Sequence, residues 1–196
     1  MEITIYGHKY SRAFRVLWML EELGLDYVNY PVKPHAKELL KISPKGKIPV
    51  AVLDSEIITD STAILTYLGE INSSFTFPSG TLARAKQDSL TFMILDELET
   101  CVWNAAKHSF VLPSEKRIKS LKPTLKWEFS RSLAVMVSNL DLEHYLMGEV
   151  MTIPDFILTH CLDWARVAKF EEFPDAVMRY YARMSKRPAY QKIANS

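Results

Sequence analysis

Ser11-Arg12-Ala13-Phe14-Arg15-Val16-Leu17-Trp18-Met19-Leu20-Glu21-Glu22-Leu23-Gly24 opens on a hydroxyl and closes on a glycine. Between them Phe14, Val16, Leu17, Trp18, Met19, Leu20 and Leu23 would place apolar side chains on more than one face of a helix. A serine at the start offers an acceptor to the unpaired N–H groups of a first turn, and a glycine at the end takes the left-handed conformation that stops a helix. The pattern predicts a largely buried helix. On one side of it residues 2–6 read as a short strand, and on the other residues 27–32 read as a second. A strand, a helix and a strand within about 30 residues make a βαβ unit with parallel strands.

Working onward, residues 35–42 suit a short helix, and Ser43-Pro44-Lys45-Gly46-Lys47 has the composition of a loop. Residues 48–53 and 56–59 are apolar runs separated by Asp54-Ser55, which predicts a hairpin. Asp60 or Ser61 then caps a helix that runs to Gly69. The order βαβ, short helix, ββα builds a four-stranded mixed sheet with helices on it. Asn, Ser, Pro and Gly gather in residues 71–80, and strand signals stop after them. Residues 82–110 and 114–146 read as long helical stretches, the latter interrupted near Pro123 and Asn139. Thr152-Ile153-Pro154-Asp155 has the form of a capping box, and the apolar run after it (Phe156, Ile157, Leu158, Cys161, Leu162, Trp164) marks a buried central helix. Residues 174–184 and 188–194 suit two more short helices. The expected class is α/β plus all-α: a first domain over 1–72, a linker over 73–81 and an all-helical domain over 82–196. Trp103, Phe110 and Trp164 are assigned to its core, the alternative being that one or two of them line a pocket between the domains.

Lys and Arg number 24 against 23 Asp and Glu, for a net charge of +1. That balance gives no electrostatic footprint for nucleic acid or an anionic membrane. The basic cluster Lys116, Arg117, Lys119, Lys122 and Lys126 lies in a mixed helical stretch and reads as a solvated face. The start, Met1-Glu2-Ile3, lacks the basic, apolar form of a signal peptide, and no run approaches the ~20 apolar residues of a membrane span. Cys101 and Cys161 are too few and too distant for a disulfide framework or a zinc site, and His8, His35, His108, His144 and His160 show no metal spacing. A soluble protein of the reducing cytoplasm is expected, without a metal.

Three places could carry chemistry. Tyr6-Gly7-His8-Lys9-Tyr10-Ser11-Arg12 joins the first strand to the first helix, where N–H groups and hydroxyls can stabilise an anion. A plain cap at Ser11 and a packed aromatic at Tyr10 account for the same residues. Lys47-Ile48-Pro49-Val50 opens a strand with a proline; with a cis Ile48–Pro49 bond the Ile48 main chain can pair with an extended peptide. An edge-strand proline is the simpler account. Asp60-Ser61-Thr62 offers a helix N-terminus to a carboxylate, or merely caps it.

Together these pieces resemble the cytosolic glutathione transferase family. Residues 10–24 look like the first helix of a bacterial and fungal branch, Ser43-Pro44-Lys45-Gly46-Lys47-Ile48-Pro49-Val50 like the family's cis-proline loop, and Asp60-Ser61-Thr62-Ala63-Ile64 like its Glu-Ser-x-Ala-Ile element, with Asp in place of Glu. Thr152–Asp155, Pro174 and Arg187-Pro188-Ala189-Tyr190 extend the likeness almost to the end of the chain. The resemblance implies a thioredoxin-like domain followed by a helical bundle, with glutathione as co-substrate. It implies that Ile48, beside Pro49, bonds the cysteinyl backbone, that Asp60 and Ser61 hold the γ-glutamyl end, and that His35 and Lys47 stand near the glycyl carboxylate. It implies a hydroxyl beside the sulfur, from Ser11 or Tyr10, with Tyr6 third. A hydrophobic electrophile is expected near Leu95, Glu99 and Trp103, and the family implies a homodimer. The first domain holds no cysteine, which sets aside the cysteine-using classes. The Tyr10-Ser11-Arg12-Ala13 run also departs from the maleylacetoacetate isomerase type. A non-catalytic binding protein on the same fold is the alternative.

Overall fold

β1 (Ile3–Tyr6) has β2 (Val28–Tyr30) parallel on one side and β3 (Val50–Leu53) antiparallel on the other. β4 (Glu56–Thr59) completes the order β2-β1-β3-β4, the mixed sheet expected. This computed structural model describes residues 1–170 and 173–196; residues 171 and 172 of the expected helical domain lie outside it. Ile3 and Ile5 alternate with half-buried Thr4 and Tyr6, and Val50, Ala51 and Leu53 are all buried, as befits a central strand pair. By contact, the chain divides into Met1–Pro78 with Ser185–Ser196, and Ser79–Met184.

In the first unit α1 (Ala13–Leu23) buries every residue from Ala13 to Leu20. Arg12 is its N-cap and brings no side-chain cap; Ser11, expected at or near the cap, lies one residue earlier, its Oγ accepting from the Ala13 N–H at 3.1 Å. Gly24 stops it at φ 65°, where the Gly24 N–H reaches the Glu21 carbonyl and the Leu25 N–H the Leu20 carbonyl. A helix buried all round needs neighbours all round, and α1 has β1, α3 (Ser61–Ile71) and the C-terminal helix against it. α2 (Lys37–Ile42) is short and fully buries Leu39.

Residues 185–196 were expected to end the helical domain, yet they pack in the first unit. Tyr190 meets Phe14 edge-on at 4.9 Å between ring centroids and Trp18 at 5.1 Å. Arg187 grips Glu22 through Nε at 2.6 Å and Nη2 at 2.7 Å, while Trp18 Nε1 donates to the same carboxylate at 2.8 Å. Burial of a side chain such as Ile193 contributes about 1.5–3 kcal/mol, so this segment is part of the first unit's core.

The second unit opens with α4 (Leu82–Met93), capped by Thr81, and α5 (Thr100–Ala106). π-helical turns at Ile94–Glu99 and Lys107–Val111 join and extend them into the continuous helix expected over 82–110. The second turn carries Phe110, which is 70% exposed and not in the core; the wider turn shifts the apolar register outward there. Trp103 and Trp164 stack at 6.2 Å. The stretch 114–146 is less helical than expected. Two 3-10 turns (Ser114–Lys116, Lys119–Leu121) precede α6 (Lys122–Ser138), and residues 140–150 form turns. Pro123 sits in the first turn of α6, where a missing N–H costs nothing, so it begins the helix instead of breaking it. α7 (Ile153–Val167) is the central helix, buried at every residue from Ile153 to Leu162. α8 (Asp175–Ser185) follows, and α9 is Pro188–Asn195.

Candidate functional site

One row of the sheet brings the candidate residues of the first unit to the same end. Tyr6 is in register with Tyr30 and with Val50, and Val50 with Thr59. The segments that leave this row are 7–12 after β1, 31–36 after β2, 43–49 before β3, and Asp60-Ser61 after β4. Gly7 shows how closely they approach: a Cβ there would stand 2.7 Å from the Ala13 Cβ, 3.3 Å from the Ile48 Cβ and 3.6 Å from the Pro49 Cα, at φ 151°. The start of α1 and the Ile48–Pro49 segment therefore lie against each other because residue 7 has no side chain.

The hydroxyl candidates have unlike surroundings. Ser11 Oγ donates to the His8 carbonyl at 2.7 Å while it accepts from Ala13. Tyr10 is 79% exposed, so it is not the packed aromatic that would account for its presence. Tyr6 stacks on Tyr30, with ring centroids 5.1 Å apart and 17° between planes. His8, on the same loop, has its imidazole pKa lowered by burial and then by the charge of Lys33; among the described residues its buried Nδ1 has no hydrogen-bond partner.

The Ile48–Pro49 bond is cis. Among the described residues the main-chain N–H and C=O of Ile48 make no hydrogen bond, although the residue is half-buried. His35 sits at φ 61° and donates its N–H to the Gly46 carbonyl at 2.8 Å, which ties the 31–36 segment beside Lys47. Gly46 is at φ 61°, a conformation that favours glycine, and a Cβ there would displace the exposed His35 ring, whose Nδ1 would stand 2.4 Å away. Lys47 is exposed. Asp60, also at positive φ (76°), is the cap of α3: its Oδ1 accepts from Thr62 N–H at 2.9 Å and Ala63 N–H at 3.2 Å. Ser61 is buried, and its N–H is the first of α3.

Within the second unit Leu95 and Glu99 lie on the first π-helical turn, with Glu99 buried and Leu95 and Trp103 half-buried. Asp155 is fully buried; its carboxylate accepts from Leu146 N–H, Thr152 N–H, Thr152 Oγ1 and Tyr180 Oη, which includes the expected capping box. Burial pushes its pKa up against those four bonds. Burial also pushes the Cys101 thiol up to about 11, with Glu128 adding to it. Among the described residues no group of three His, Cys, Asp or Glu is placed to hold a metal, and no helix is long and apolar enough to cross a membrane.

The family profile of the glutathione S-transferase N-terminal domain matches residues 11–71, and that of the C-terminal domain residues 101–188. The chain belongs to the glutathione S-transferase family. Among curated transferases it is 26% identical over 182 residues to glutathione S-transferase GstA of Escherichia coli O157:H7, covering 88% of this chain and 87% of that one. A zeta-class glutathione S-transferase of Euphorbia esula is 39% identical over 75 residues, 35% of this chain and 33% of that one. Among solved structures, a glutathione transferase from Methylococcus capsulatus superposes with a TM-score of 0.85 at 24% identity, covering 98% of this chain and 97% of the other. One from Phanerochaete chrysosporium, solved with oxidized glutathione, gives 0.84 at 24% identity, over 99% and 95%. These two establish the transferase fold: a thioredoxin-like N-terminal domain and a helical C-terminal one.

Two contributors to the transferase loop 7–12 escaped the sequence reading. His8 supplies the carbonyl that holds Ser11, and Lys9 Nζ donates to the carbonyl of Ala194 at 2.9 Å. The only signal for His8 is its place three residues before the cap. Lys9 and Ala194 are separated by 185 positions, and no local pattern links them.

Proposed function

We propose that this chain is an active glutathione transferase that stabilises the glutathione thiolate and transfers it to hydrophobic electrophiles. The observation that carries the reading is the unpaired Ile48 main chain, held by Gly7 against the loop that ends in Ser11. An extended tripeptide needs a N–H and C=O pair to lie along, and Ile48 has both to give. In this reading Ser61 N–H and the second oxygen of Asp60 take the γ-glutamyl carboxylate and ammonium, while His35 and Lys47 take the glycyl carboxylate.

Ser11 is the favoured thiol partner, ahead of Tyr10 and Tyr6. It is the hydroxyl nearest the helix start, and giving its proton to sulfur costs it the single bond to His8. A charge-assisted hydrogen bond contributes about 1.5–3 kcal/mol, one to two pKa units, against a free thiol near ~8.5. The thiol proton leaves to solvent. With a chlorinated nitrobenzene, sulfur bonds to the ring carbon, and chloride departs with the bonding pair. Thiolate enrichment of a few tens-fold is partly offset by lowered nucleophilicity, so alignment of the electrophile supplies the rest. Peroxide reduction by the same thiolate is within this chemistry. The same reading makes the protein a cytoplasmic homodimer with a detoxifying role.

A non-catalytic glutathione-binding protein is the second reading, favoured by one observation: Asp60 Oδ1 and the Ser11 proton are both committed to the chain itself. Retention on immobilised glutathione with no conjugation of a chlorinated nitrobenzene selects it. Retention together with turnover, and loss of thiolate absorbance in Ser11→Ala, supports the transferase.

A further inference from the structure

We propose that α9 latches the loop that carries Ser11, with Lys9 as the positioning residue between them; its effect on thiol chemistry rests on the reading of Ser11 above. The Lys9 ammonium donates to the carbonyl of Ala194 at 2.9 Å and to the main-chain oxygen of Ser196. A cation at the last carbonyls of a helix meets their partial negative charge, so the contact is favourable at both its ends. α9 is anchored independently of Lys9, by Tyr190 between Phe14 and Trp18, by Arg187 on Glu22 and by Lys192 on Glu21 at 2.7 Å. It is therefore a fixed post and not a second loose end.

What the post fixes is one peptide plane. The His8 carbonyl that accepts both the Ser11 N–H, at 3.1 Å, and the Ser11 hydroxyl, at 2.7 Å, belongs to the planar unit that ends on the Lys9 nitrogen. The loop is held at its start by the Gly7 N–H on the Tyr30 carbonyl and by Asn29 Nδ2 on the Gly7 carbonyl, and at its end by α1. Between these ends Tyr10 is exposed, its ring 5.5 Å from Lys9 Nζ, and contributes little burial. Lys9 ties the middle of the loop to α9, beside the half-buried His8 ring. Removing it leaves Ser11 in place but lets the carbonyl that orients its proton swing.

The test uses Lys9→Met, which keeps the stem and loses the ammonium, and deletion of residues 194–196, which removes the acceptors and keeps the α9 anchors. Amide hydrogen exchange at Ser11 and Ala13 reads the latch without reference to catalysis. It should rise roughly tenfold in each variant, and no further in the two combined, because both break one contact. With glutathione and a chlorinated nitrobenzene, kcat should fall roughly fivefold and the apparent thiol pKa should rise, with KM for glutathione within about twofold. Unchanged exchange in either variant, or additive effects in the pair, overturns the latch whatever Ser11 does. Faster exchange with kcat and thiol pKa unmoved, where Ser11→Ala does move them, overturns the positioning role. If Ser11→Ala itself leaves the thiol pKa unmoved, the donor reading fails, and the exchange data alone judge the latch.

Discussion

Tyr180 donates its phenolic hydrogen to Asp155 Oδ1 at 2.7 Å, and neither side chain has any surface open to solvent. The bond ties α8 to the first turn of α7, while the same oxygen accepts from Leu146 N–H at 2.9 Å. Tyr180→Phe should cost about 1–3 kcal/mol, the range for a buried partner lost from a hydrogen bond. Asp155→Ala should cost more, since it orphans the N–H groups of Leu146 and Thr152 as well as the phenol. Urea unfolding, compared at constant m-value, ranks the two; equal losses would contradict the shared shell.

The same carboxylate sets a pH dependence. Burial raises its pKa in the folded chain above that of the unfolded one. The folded state thus holds the proton more tightly, so the group's contribution is full below the unfolded value, near ~3.9, and is lost as pH rises through the folded value. The difference in unfolding free energy between the parent chain and Asp155→Asn should shift against the parent as pH climbs from about 4. A flat difference across that window contradicts the raised pKa.

Asp60 separates capping from binding. Asp60→Asn keeps an oxygen for Thr62 and Ala63 and tolerates φ 76°, so stability should change by only a few tenths of a kcal/mol. Asp60→Ala loses the cap and strains the backbone, for a loss of about 1–2 kcal/mol. If the carboxylate also meets the γ-glutamyl ammonium, both variants raise KM for glutathione roughly tenfold or more. An Asn variant with wild-type KM would leave Asp60 a cap and nothing else.

Gly7→Ala asks whether the close approach matters. The added methyl would lie 2.7 Å from the Ala13 Cβ, so the β1–α1 loop and the Ile48 segment must part. We expect about 1–3 kcal/mol of destabilisation and loss of retention on immobilised glutathione. Retention at wild-type strength in a folded Gly7→Ala chain would detach Ile48 from the binding role.

Cys101 should be nearly inert in the native protein. With its pKa pushed up to about 11, the thiolate is on the order of a thousandth of the population or less near pH 7.5. Cys161 is fully buried. Aromatic disulfide reagents should label both thiols only at the rate of unfolding, and a fast-reacting thiol in the folded chain would contradict this.

The sequence made some of this plain and hid the rest, for physical reasons. α1 announced itself through Gly24, its C-cap, and through Ser11 one residue before its N-cap, because helix ends are local chemistry. Thr152 and Asp155 did the same for α7. The hairpin at Asp54-Ser55 and the break after residue 71 were equally local. Pro123 misled, since a proline that breaks a helix and one that begins it differ only in where the preceding turn lies. Phe110 misled because apolar character says nothing about a π-helical turn. The assignment of residues 185–196 to the helical domain followed from their helical texture, whereas their partners Trp18 and Glu22 lie more than 160 positions earlier. The order of the site segments was legible; the register of Tyr6, Tyr30, Val50 and Thr59 that gathers them was not, because sheet pairing is non-local.

The contact of Tyr190 with Phe14 and Trp18 also bears on how the protein is made. A ribosome releases residues 1–78 long before the segment that covers them, and chains generally begin to fold from the N-terminal end during synthesis. The nascent sheet and α1 must wait, with an aromatic face bare, until residues 185–196 are translated. A frameshift or premature stop ahead of codon 185 would therefore injure the unit built on residues 1–78, and a chaperone that shields Trp18 in the interval would act on the newborn chain alone.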